Sequence, residues 1–489
     1  MNFLCVDIGT TRSKAQVFDS DGEILFYQSA ECPLKEVAGE KYADILFIRD
    51  TVFKLIRAAS EKFKISSVAF SSFGESFVSL GENDEILTLP MLYTDSRGSF
   101  QAEQAKKTIG EQTFYHIAGV MPAPMYSVYK LLWIKENFPH IYAKTKKIML
   151  ICDYFGYLLT NERVIDYSLA ARTGVFDIEK KVFSKELCKS LNIDVSLFSR
   201  PEKTGSIVGN ISESAARETG LSTDCVLVLG SHDQVCATLG AGVIDSGKAA
   251  DGMGTVECIT AVFDKVPSDI KVGYFGYPVV PFLENLYCTY ILNFTSGSVV
   301  DWFRKKILHG YKGDEQDVFS YLEKSGKEKT DMLVLPYFGG AATPYRDDFA
   351  TGCILNLTLS STDGEIFRAI TEGTAYEMRF NLETVKQFGI EINELVATGG
   401  GSNSSYRIEI QSNVLKLPIK TLRSAEGGLC GLAMLQSVAL GQSRDFVSAK
   451  EKFVRYKKEV LYSGMDENYY DNKYKKYKKL YKMTKEIEK

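Results

Sequence analysis

The sequence predicts an α/β protein of two or three folded units, and three observations lead to this prediction. The chain has 489 residues, roughly three times the length of a common domain. Hydrophobic residues make up 45% of it and charged residues 25%, as in folded globular proteins rather than disordered or fibrous ones. A helical pattern over residues 52–63 is followed by an apolar strand pattern at residues 68–70, and such alternation is typical of α/β domains.

The N-terminal elements are predicted as strands joined by polar turns. Residues 3–7 form the first strand, residues 9–11 are a Gly-Thr-Thr turn, and residues 15–19 form the second strand. The Ser-Asp-Gly turn at residues 20–22 then leads into a third strand at residues 23–25. We therefore predict that the chain begins with a β-meander.

The second half begins near residue 250 and follows the same style. Thr362 and Glu365 match the capping box that starts a helix. This helix leads to a strand at residues 395–397, which ends in the glycine loop at residues 398–401. Each half thus has a short strand followed by a polar glycine turn. This likeness leaves a duplication open, although the sequence has no repeat of fixed period.

The C-terminal segment carries a stripe of tyrosines. Tyr470, Tyr474, Tyr477 and Tyr481 follow helical spacing, with lysines at many positions between them. We predict a helix that packs its tyrosines on the body of the protein and exposes its lysines. The alternative is a segment that binds a membrane surface or nucleic acid.

Charge and targeting signals exclude several partners. Lys and Arg total 58 against 62 Asp and Glu, a net charge of −4, so no positive excess attracts nucleic acid. The N-terminus reaches Asp7 too soon for a signal peptide. The uncharged stretch at residues 285–300 is too short to span a membrane. We predict that this stretch is a buried strand leading into a loop, and that the protein has no membrane partner.

Cysteine and histidine usage predicts a cytoplasmic protein without a metal cluster built from these residues. The ten cysteines are scattered without a CxxC pair, and the four histidines lack metal-ligand spacing. Free thiols are expected in a reducing cytoplasm.

Three short segments have the composition of phosphate-binding loops. Residues 7–14 place a carboxylate at a strand end, where it can hold Mg²⁺ through water, before a Gly-Thr-Thr turn. Residues 252–257 and 399–403 are rich in glycine, which lets backbone approach a ligand closely. Each segment alone also fits an ordinary tight turn. Together they indicate a nucleotide.

Two other nucleotide motifs are nearly present but fail on chemistry. Residues 242–249 match a Walker A loop except that Ala249 replaces the Mg²⁺-binding hydroxyl. The same region begins a dinucleotide fingerprint, but Asp245 stands where the third glycine is required. We predict a linker turn here.

His232, Asp233 and Gln234 follow a predicted strand at residues 226–229. The carboxyl end of a strand is where α/β proteins commonly bind ligands, so Asp233 is a candidate base. The alternative is that Asp233 only caps the next helix, and that His232 is a structural histidine.

In this order, the motifs resemble the FGGY family of carbohydrate kinases, which includes xylulose, ribulose, rhamnulose, gluconate and glycerol kinases. Residues 125–137 fit the first signature of the family. Residues 352–372 approximate the second, with Asn356 where glycine is usual and Thr371 where an apolar residue is usual. The resemblance extends from Asp7 to about residue 441.

The resemblance implies two actin-like (ribonuclease H-like) domains with ATP and sugar meeting in the cleft between them. Residues 1–245 would form the N-terminal domain with the sugar site and the base. Residues 246–445 would form the C-terminal, nucleotide-binding domain, and residues 446–489 a Tyr/Lys-rich helical segment.

The resemblance also implies a role for each matched position. The nucleotide and metal positions are Asp7 at Mg²⁺ and Thr10, Thr11, Lys14, Gly254, Thr255, Gly399, Gly400 and Asn403 at ATP. The sugar positions are Gly74, Glu75, Tyr93, Asp95, Met125, His232, Asp233 and Gln234, with Asp233 as the general base.

The acceptor is expected to be a small sugar larger than glycerol. Glycerol kinases carry a long cation and a hydroxyl at the positions of Gly74 and Met125, so these changes predict a roomier pocket with fewer polar contacts. A pentulose such as xylulose is favoured, while a deoxyhexulose, a sugar acid and a polyol stay open. The resemblance allows a homodimer. The rival functions are an actin-like ATPase switch and a sugar-binding regulator that has lost catalysis.

Overall fold

The computed structural model describes residues 1–308, 311, 313–314, 317–424 and 426–487. Within these residues, strands and helices alternate and build two seven-stranded sheets, one in each half of the chain. This arrangement confirms the α/β prediction.

The N-terminal half contains sixteen strands and ten α-helices among the described residues. The strands are β1 (Asn2–Ile8), β2 (Arg12–Asp19), β3 (Ile24–Glu31), β4 (Leu34–Val37), β5 (Glu40–Ala43), β6 (Ser67–Ser72), β7 (Phe77–Leu80), β8 (Ile86–Thr88), β9 (Lys147–Leu150), β10 (Val164–Asp166), β11 (Phe176–Asp177), β12 (Val182–Phe183), β13 (Arg200–Glu202), β14 (Ile207–Asn210), β15 (Val226–Val228) and β16 (Ser231–His232). The helices are α1 (Ile45–Ser60), α2 (Ser99–Thr108), α3 (Glu111–Ala118), α4 (Ser127–Asn137), α5 (Pro139–Lys144), α6 (Ile151–Thr160), α7 (Tyr167–Ala171), α8 (Lys185–Ser190), α9 (Glu213–Thr219) and α10 (Asp233–Gly240), with a 3₁₀ turn at Val195–Leu197.

The N-terminal sheet has the strand order β14-β15-β6-β1-β2-β3, and β16 also pairs with β6. β1, β15 and β16 run parallel to β6, whereas β1–β2 and β2–β3 are antiparallel. The predicted meander is therefore confirmed. All six residues of β6 are buried, as expected for a strand covered on both faces.

The C-terminal half has its own set of elements. The strands are β17 (Lys248–Met253), β18 (Glu257–Phe263), β19 (Val280–Pro281), β20 (Tyr287–Asn293), β21 (Leu333–Leu335), β22 (Cys353–Leu355), β23 (Glu394–Thr398), β24 (Ile419–Leu422) and β25 (Tyr456–Val460). The helices are α11 (Lys271–Tyr274), α12 (Gly297–Trp302), α13 (Val318–Ser325), α14 (Asp363–Lys386), α15 (Ser405–Leu415), α16 (Gly427–Ala439), α17 (Phe446–Phe453), α18 (Glu467–Tyr477) and α19 (Leu480–Ile487), with a π-helical turn at Phe303–Ile307 and a 3₁₀ turn at Gly400–Asn403.

The C-terminal sheet repeats the plan of the N-terminal one. Its order is β19-β20-β18-β17-β23-β24-β25. β17 runs parallel to β23 and β23 to β24, while β17–β18 and β18–β20 are antiparallel. Both sheets thus place an antiparallel hairpin on one side of their first strand and parallel strands on the other. The shared plan agrees with the shared style of the two halves in sequence.

Helices α10 and α16 lie between the two sheets. α16 contacts β1 and β6, and α10 contacts β17 and β18. The two helix backbones touch at glycines. A Cβ at Gly240 would lie 1.8 Å from the carbonyl oxygen of Gly427, and a Cβ at Gly431 would lie 2.0 Å from that of Cys236. Side chains therefore cannot be added at this crossing without separating the two helices.

The predicted C-terminal helical segment, residues 446–489, is helical only in part. It contains β25, which pairs antiparallel with β24 at the edge of the sheet. Tyr456 and Val460 are partly buried and residues 457–459 are exposed. Three consecutive charged residues between the two apolar ends hide the strand pattern in the sequence. Pairing with β24 makes this segment a strand despite its weak local preference for that conformation.

The tyrosine stripe packs on the body of the protein, as predicted. Tyr470, Tyr474 and Tyr477 are buried on α18. Tyr481 lies on α19, where its ring stacks on Tyr345 at 3.8 Å between centroids. The stripe therefore spans two short helices instead of one.

Two other segments of the described part of the chain can be compared with the sequence predictions. Residues 241–247 contain neither helix nor strand, as expected for a linker turn, but the last two residues of the near-match to Walker A, Lys248 and Ala249, begin strand β17. The uncharged stretch at residues 285–300 contains strand β20 followed by a loop and the start of α12. No helix among the described residues has both the length and the apolar character to cross a bilayer.

We predict that Gly431→Ala lowers the free energy of unfolding by about 1–3 kcal/mol, because overpacking at the crossing must move one helix. Gly428→Ala on the same helix is the matched control, since a Cβ there meets nothing within 4 Å and alanine favours helix. The measurement is the urea midpoint of each variant. Equal midpoints for both variants would contradict the crossing as described.

Candidate active site

Three parallel strands end side by side and carry the predicted carboxylates. Asp7 on β1 is the cross-strand partner of Ser71 on β6, and Ser231 on β16 pairs with Ser71 from the other side. Asp233 follows β16 as the first residue of α10. Because parallel strands present their carboxyl ends at one edge of a sheet, Asp7 and Asp233 face the same cleft.

Asp7 is partly buried in this cleft. Burial raises the pKa of its carboxyl, the Ser71 hydroxyl and Lys14 oppose this, and Glu426 adds to it. The Ser71 hydroxyl donates to Asp7 Oδ1 at 2.7 Å. Lys14 is the cross-strand partner of Asp7 on β2, and its Nζ lies 2.7 Å from Glu426 Oε2. Lys14 is therefore close to the carboxylate, as a phosphate-binding cation would be, but it is held by Glu426.

The acidity of Asp233 differs strongly from that of a free aspartate. Burial raises its pKa to about 7, and the negative charges of Asp7 and Glu75 act in the same direction. Its side chain is still 39% exposed to the cleft. Oδ1 accepts the backbone N–H of Gln234 at 2.6 Å. This bond goes to the next residue and not one turn further, so Asp233 does not act as the cap of α10.

His232 is buried beside Asp233 and is neutral. Burial lowers its pKa well below the usual value, and the charge of Arg172 lowers it further. Its Nε2 lies 3.2 Å from Asp233 Oδ1. Its Nδ1 lies 3.2 Å from the hydroxyl of Tyr290. Tyr290 belongs to β20, so the C-terminal half contacts His232 next to Asp233.

Arg172 and Glu75 form a buried ion pair. Glu75 was predicted from the sequence as a site residue, but Arg172 was not. Arg172 donates through Nε to Glu75 Oε1 at 2.6 Å and through Nη2 to the same oxygen. The two side chains are only 5% and 4% exposed. Arg172 is the only charged residue in the run of residues 169–176. A lone charge in an apolar run requires a buried partner, and this was the available signal.

The room left by Gly74 is occupied by neighbouring side chains. A Cβ at Gly74 would lie 3.1 Å from His232 Cδ2 and 3.2 Å from Arg172 Cγ. The expectation that glycine at this position enlarges the sugar pocket is therefore wrong on this side. Two side chains from distant parts of the chain fill that space.

Of the other predicted sugar positions, Tyr93 lies near Glu75 and Asp233. Burial raises the pKa of Tyr93, and Glu75 and Asp233 contribute to the shift. Asp95 is engaged by Arg97, whose Nε donates to both carboxylate oxygens at 2.9 Å. Met125 lines a separate cavity of about 320 Å³ between the two halves, together with Phe294.

Four of the five predicted nucleotide positions of the C-terminal half line one cavity of about 810 Å³, and Gly399 does not. Gly254 and Thr255, in the β17–β18 turn, form one part of it, and Gly400 and Asn403 form another. Gly399 precedes them with φ of 83°, a conformation that favours glycine.

Thr10 and Thr11 lie in the β1–β2 turn of the N-terminal half. This turn is the counterpart of the β17–β18 turn. The C-terminal sheet also comes within electrostatic reach of Asp233. Burial raises the pKa of Cys258 on β18 to about 12, and the charges of Asp251 and Asp233 add to the shift.

Comparison with known proteins decides the family. The model described as "FGGY family of carbohydrate kinases, N-terminal domain" matches residues 2–240. The corresponding C-terminal domain model matches residues 281–440. The chain belongs to the FGGY family of carbohydrate kinases. This FGGY kinase therefore uses ATP and a small sugar as substrates.

Individual relatives cover nearly the whole FGGY kinase. A xylulose kinase from Staphylococcus epidermidis is 26% identical and covers 99% of this chain and 97% of its own. A gluconokinase from Bacillus subtilis is 27% identical and covers 91% and 88%. Among solved structures, the xylulose kinase from Rhodospirillum rubrum superposes with a TM-score of 0.92 at 21% identity over 100% and 99% of the two chains. The likeness confirms the actin-like two-domain fold.

We predict that Arg172→Met destabilises this FGGY kinase by about 3–5 kcal/mol, because it leaves the buried Glu75 carboxylate without its cation. Combining it with Glu75→Gln should restore much of that loss, since no buried charge is then unpaired. Chemical denaturation of the two single variants and the double variant gives the coupling energy. Additive losses in the double variant would show that the pair does not act as a unit.

Proposed function

We propose that this kinase transfers the γ-phosphoryl group of ATP to the primary hydroxyl of a five-carbon ketose such as xylulose, with Asp233 as the general base. The observation that carries the proposal is the position of Asp233, which faces Asp7 in the cleft with a pKa of about 7. The full-length relatives named xylulose kinase support the choice of sugar.

A base with this acidity suits transfer to an alcohol. At neutral pH about half of such a group is ionised, and proton transfer works best when the pKa lies near the working pH. Phosphoryl transfer needs alignment and charge neutralisation more than covalent help. In the proposed reaction, Asp233 takes the hydroxyl proton while the sugar oxygen forms its bond to phosphorus and ADP leaves.

The residues present fit a magnesium ion held mainly by substrate. Asp7 Oδ1 is bonded to Ser71, which leaves Oδ2 for the cleft. Among the described residues, no group of three or more His, Cys, Asp and Glu side chains is arranged to hold a metal. Mg²⁺ commonly uses one or two carboxylates, water and phosphate oxygens, so Asp7 would hold it in this way. When bound, it would offset the negative charge of the phosphates.

We assign the sugar and the base to residues 1–245 and the nucleotide to residues 246–445. The cluster around Asp233 supports the first part of the assignment, because Glu75, Arg172 and His232 all come from the N-terminal half. The 810 Å³ cavity supports the second part, because all of its lining residues follow residue 252.

The charges around Asp233 favour a neutral sugar over a sugar acid. Arg172 is neutralised by Glu75, and burial keeps His232 uncharged. The remaining charges of Asp7 and Asp233 would repel a substrate carboxylate. A ketose hydroxyl, in contrast, can donate to either acid. This is our reason for preferring a pentulose to gluconate, which a 27% identical relative is named for.

The proposal predicts that ADP release is stimulated by xylulose and much less by gluconate or glycerol. Replacing Asp233 with Ala should lower kcat by about 10²–10⁴, the usual contribution of a general base. A coupled assay of ADP release with each sugar, and with ATP alone, measures both effects. Asp224→Ala, at an exposed position, is the control and should keep the wild-type rate.

Two outcomes of this assay would overturn the proposal. ATP hydrolysis that no sugar changes would favour an ATPase switch. A normal sugar-dependent rate in Asp233→Ala would exclude this residue as the base.

We also predict a pH dependence from the raised pKa of Asp233. Rates measured with both substrates well below their KM values report the free enzyme. Asp233 accepts a proton only when ionised, so kcat/KM should fall about tenfold per pH unit below about 7 and level off above it. A profile that stays flat down to about pH 5.5 would contradict this assignment.

A further inference from the structure

Arg407 lies in the first turn of α15 and lines the 810 Å³ cavity next to Gly254, Thr255 and Gly401. Its side chain is 13% exposed. Protein contacts therefore set the position of this guanidinium, and these contacts differ between its two terminal nitrogens.

One nitrogen of Arg407 is held in place by two neighbouring side chains. Nη2 donates to Glu257 Oε2 at 2.6 Å and to the Ser296 hydroxyl. Glu257 is itself buried and accepts Gln411 Nε2 at 2.9 Å on its other oxygen. Glu257 begins β18, directly after the turn that holds Gly254 and Thr255. Arg407 is thereby tied to the same hairpin as the predicted phosphate-binding turn.

The other nitrogen of Arg407 has no such partner. Among the described residues, Nη1 makes no hydrogen bond. It is also not fully buried. A Cβ at residue 401 would lie 2.7 Å from Nη1, so the nitrogen lies against the α-carbon of Gly401. Any side chain at this position would displace the guanidinium. Nη1 therefore has free N–H groups between the glycine loop and the β17–β18 turn.

We propose that Arg407 binds the phosphate chain of ATP through Nη1, while Glu257 and Ser296 hold the guanidinium in place. The inference rests on the proposed kinase function and adds a binding residue to it. A guanidinium has donors and no acceptor, and its planar fork matches phosphate oxygens. The two loops on either side of Nη1 are the predicted phosphate and adenosine loops, so the phosphates pass between them.

The test compares ligands that differ only in phosphate. Calorimetric Kd values for adenosine, ADP and ATP are measured with wild type and with Arg407→Met. We expect about 10–100-fold weaker binding of ADP and ATP, as for loss of a charge-assisted hydrogen bond, and adenosine affinity within about twofold of wild type. Arg407→Lys keeps the charge without the fork and should lose less than Arg407→Met.

The outcomes separate this inference from a structural role. An equal loss for adenosine and ATP would mean that Arg407 only shapes the pocket, and unchanged ATP affinity would exclude the contact; either result overturns the proposal. If a thermal unfolding experiment shows that Arg407→Met is not folded, the same comparison of adenosine, ADP and ATP is made with Arg407→Lys. Arg379→Met is the control, because Arg379 pairs with Glu383 and Asp471 and does not line the cavity.

These binding data stay informative even if the sugar proposal fails. Loss of sugar-stimulated turnover in the wild-type protein would reject the proposed function, whereas the nucleotide Kd values would still accept or reject Arg407.

Discussion

The structure depends on one electrostatic constraint, which is that two carboxylates, Asp7 and Asp233, share a desolvated cleft. Parallel pairing of β1 and β16 with β6 brings them to the same edge. Burial of Asp233 raises the pKa of its carboxyl, and the negative charge of Asp7 raises it further. Two such carboxylates are stabilised by a nearby cation or by a hydrogen bond donated to one of them. A magnesium ion and a sugar hydroxyl would supply these two interactions.

The two halves of the cleft differ in how their arginines are paired, and this difference agrees with the proposed positions of the two substrates. On the side proposed to bind the sugar, Arg172 is paired with Glu75, so a neutral molecule meets no free cation from this pair. On the side proposed to bind the nucleotide, Arg407 bonds to Glu257 through Nη2, while Nη1 makes no hydrogen bond among the described residues. Tyr290 connects the two halves, because it belongs to the C-terminal sheet and contacts His232 next to Asp233. A closing motion of the cleft would therefore change the surroundings of Asp233 directly.

Much of this arrangement follows from local sequence, and the rest depends on tertiary contacts. The β1–β2 turn, the helix start at Thr362 and the strand before Asp233 were predictable, since each has its own local signal. The pair of Glu75 with Arg172 was not, because 97 residues separate its members. The filling of the space at Gly74 was not predictable for the same reason. Strand β25 was missed because sheet pairing decides its conformation, and the charged residues at 457–459 suggest none.

The most direct measurement is a crystal structure of the protein with a non-hydrolysable ATP analogue, Mg²⁺ and xylulose. We expect the primary hydroxyl of the sugar within hydrogen-bond distance of the Asp233 carboxylate, about 2.6–3.2 Å, with the γ-phosphate on its other side toward Asp7. A complex in which that hydroxyl faces another group, while Asp233 contacts neither sugar nor phosphate, would contradict the assignment of Asp233 as the base.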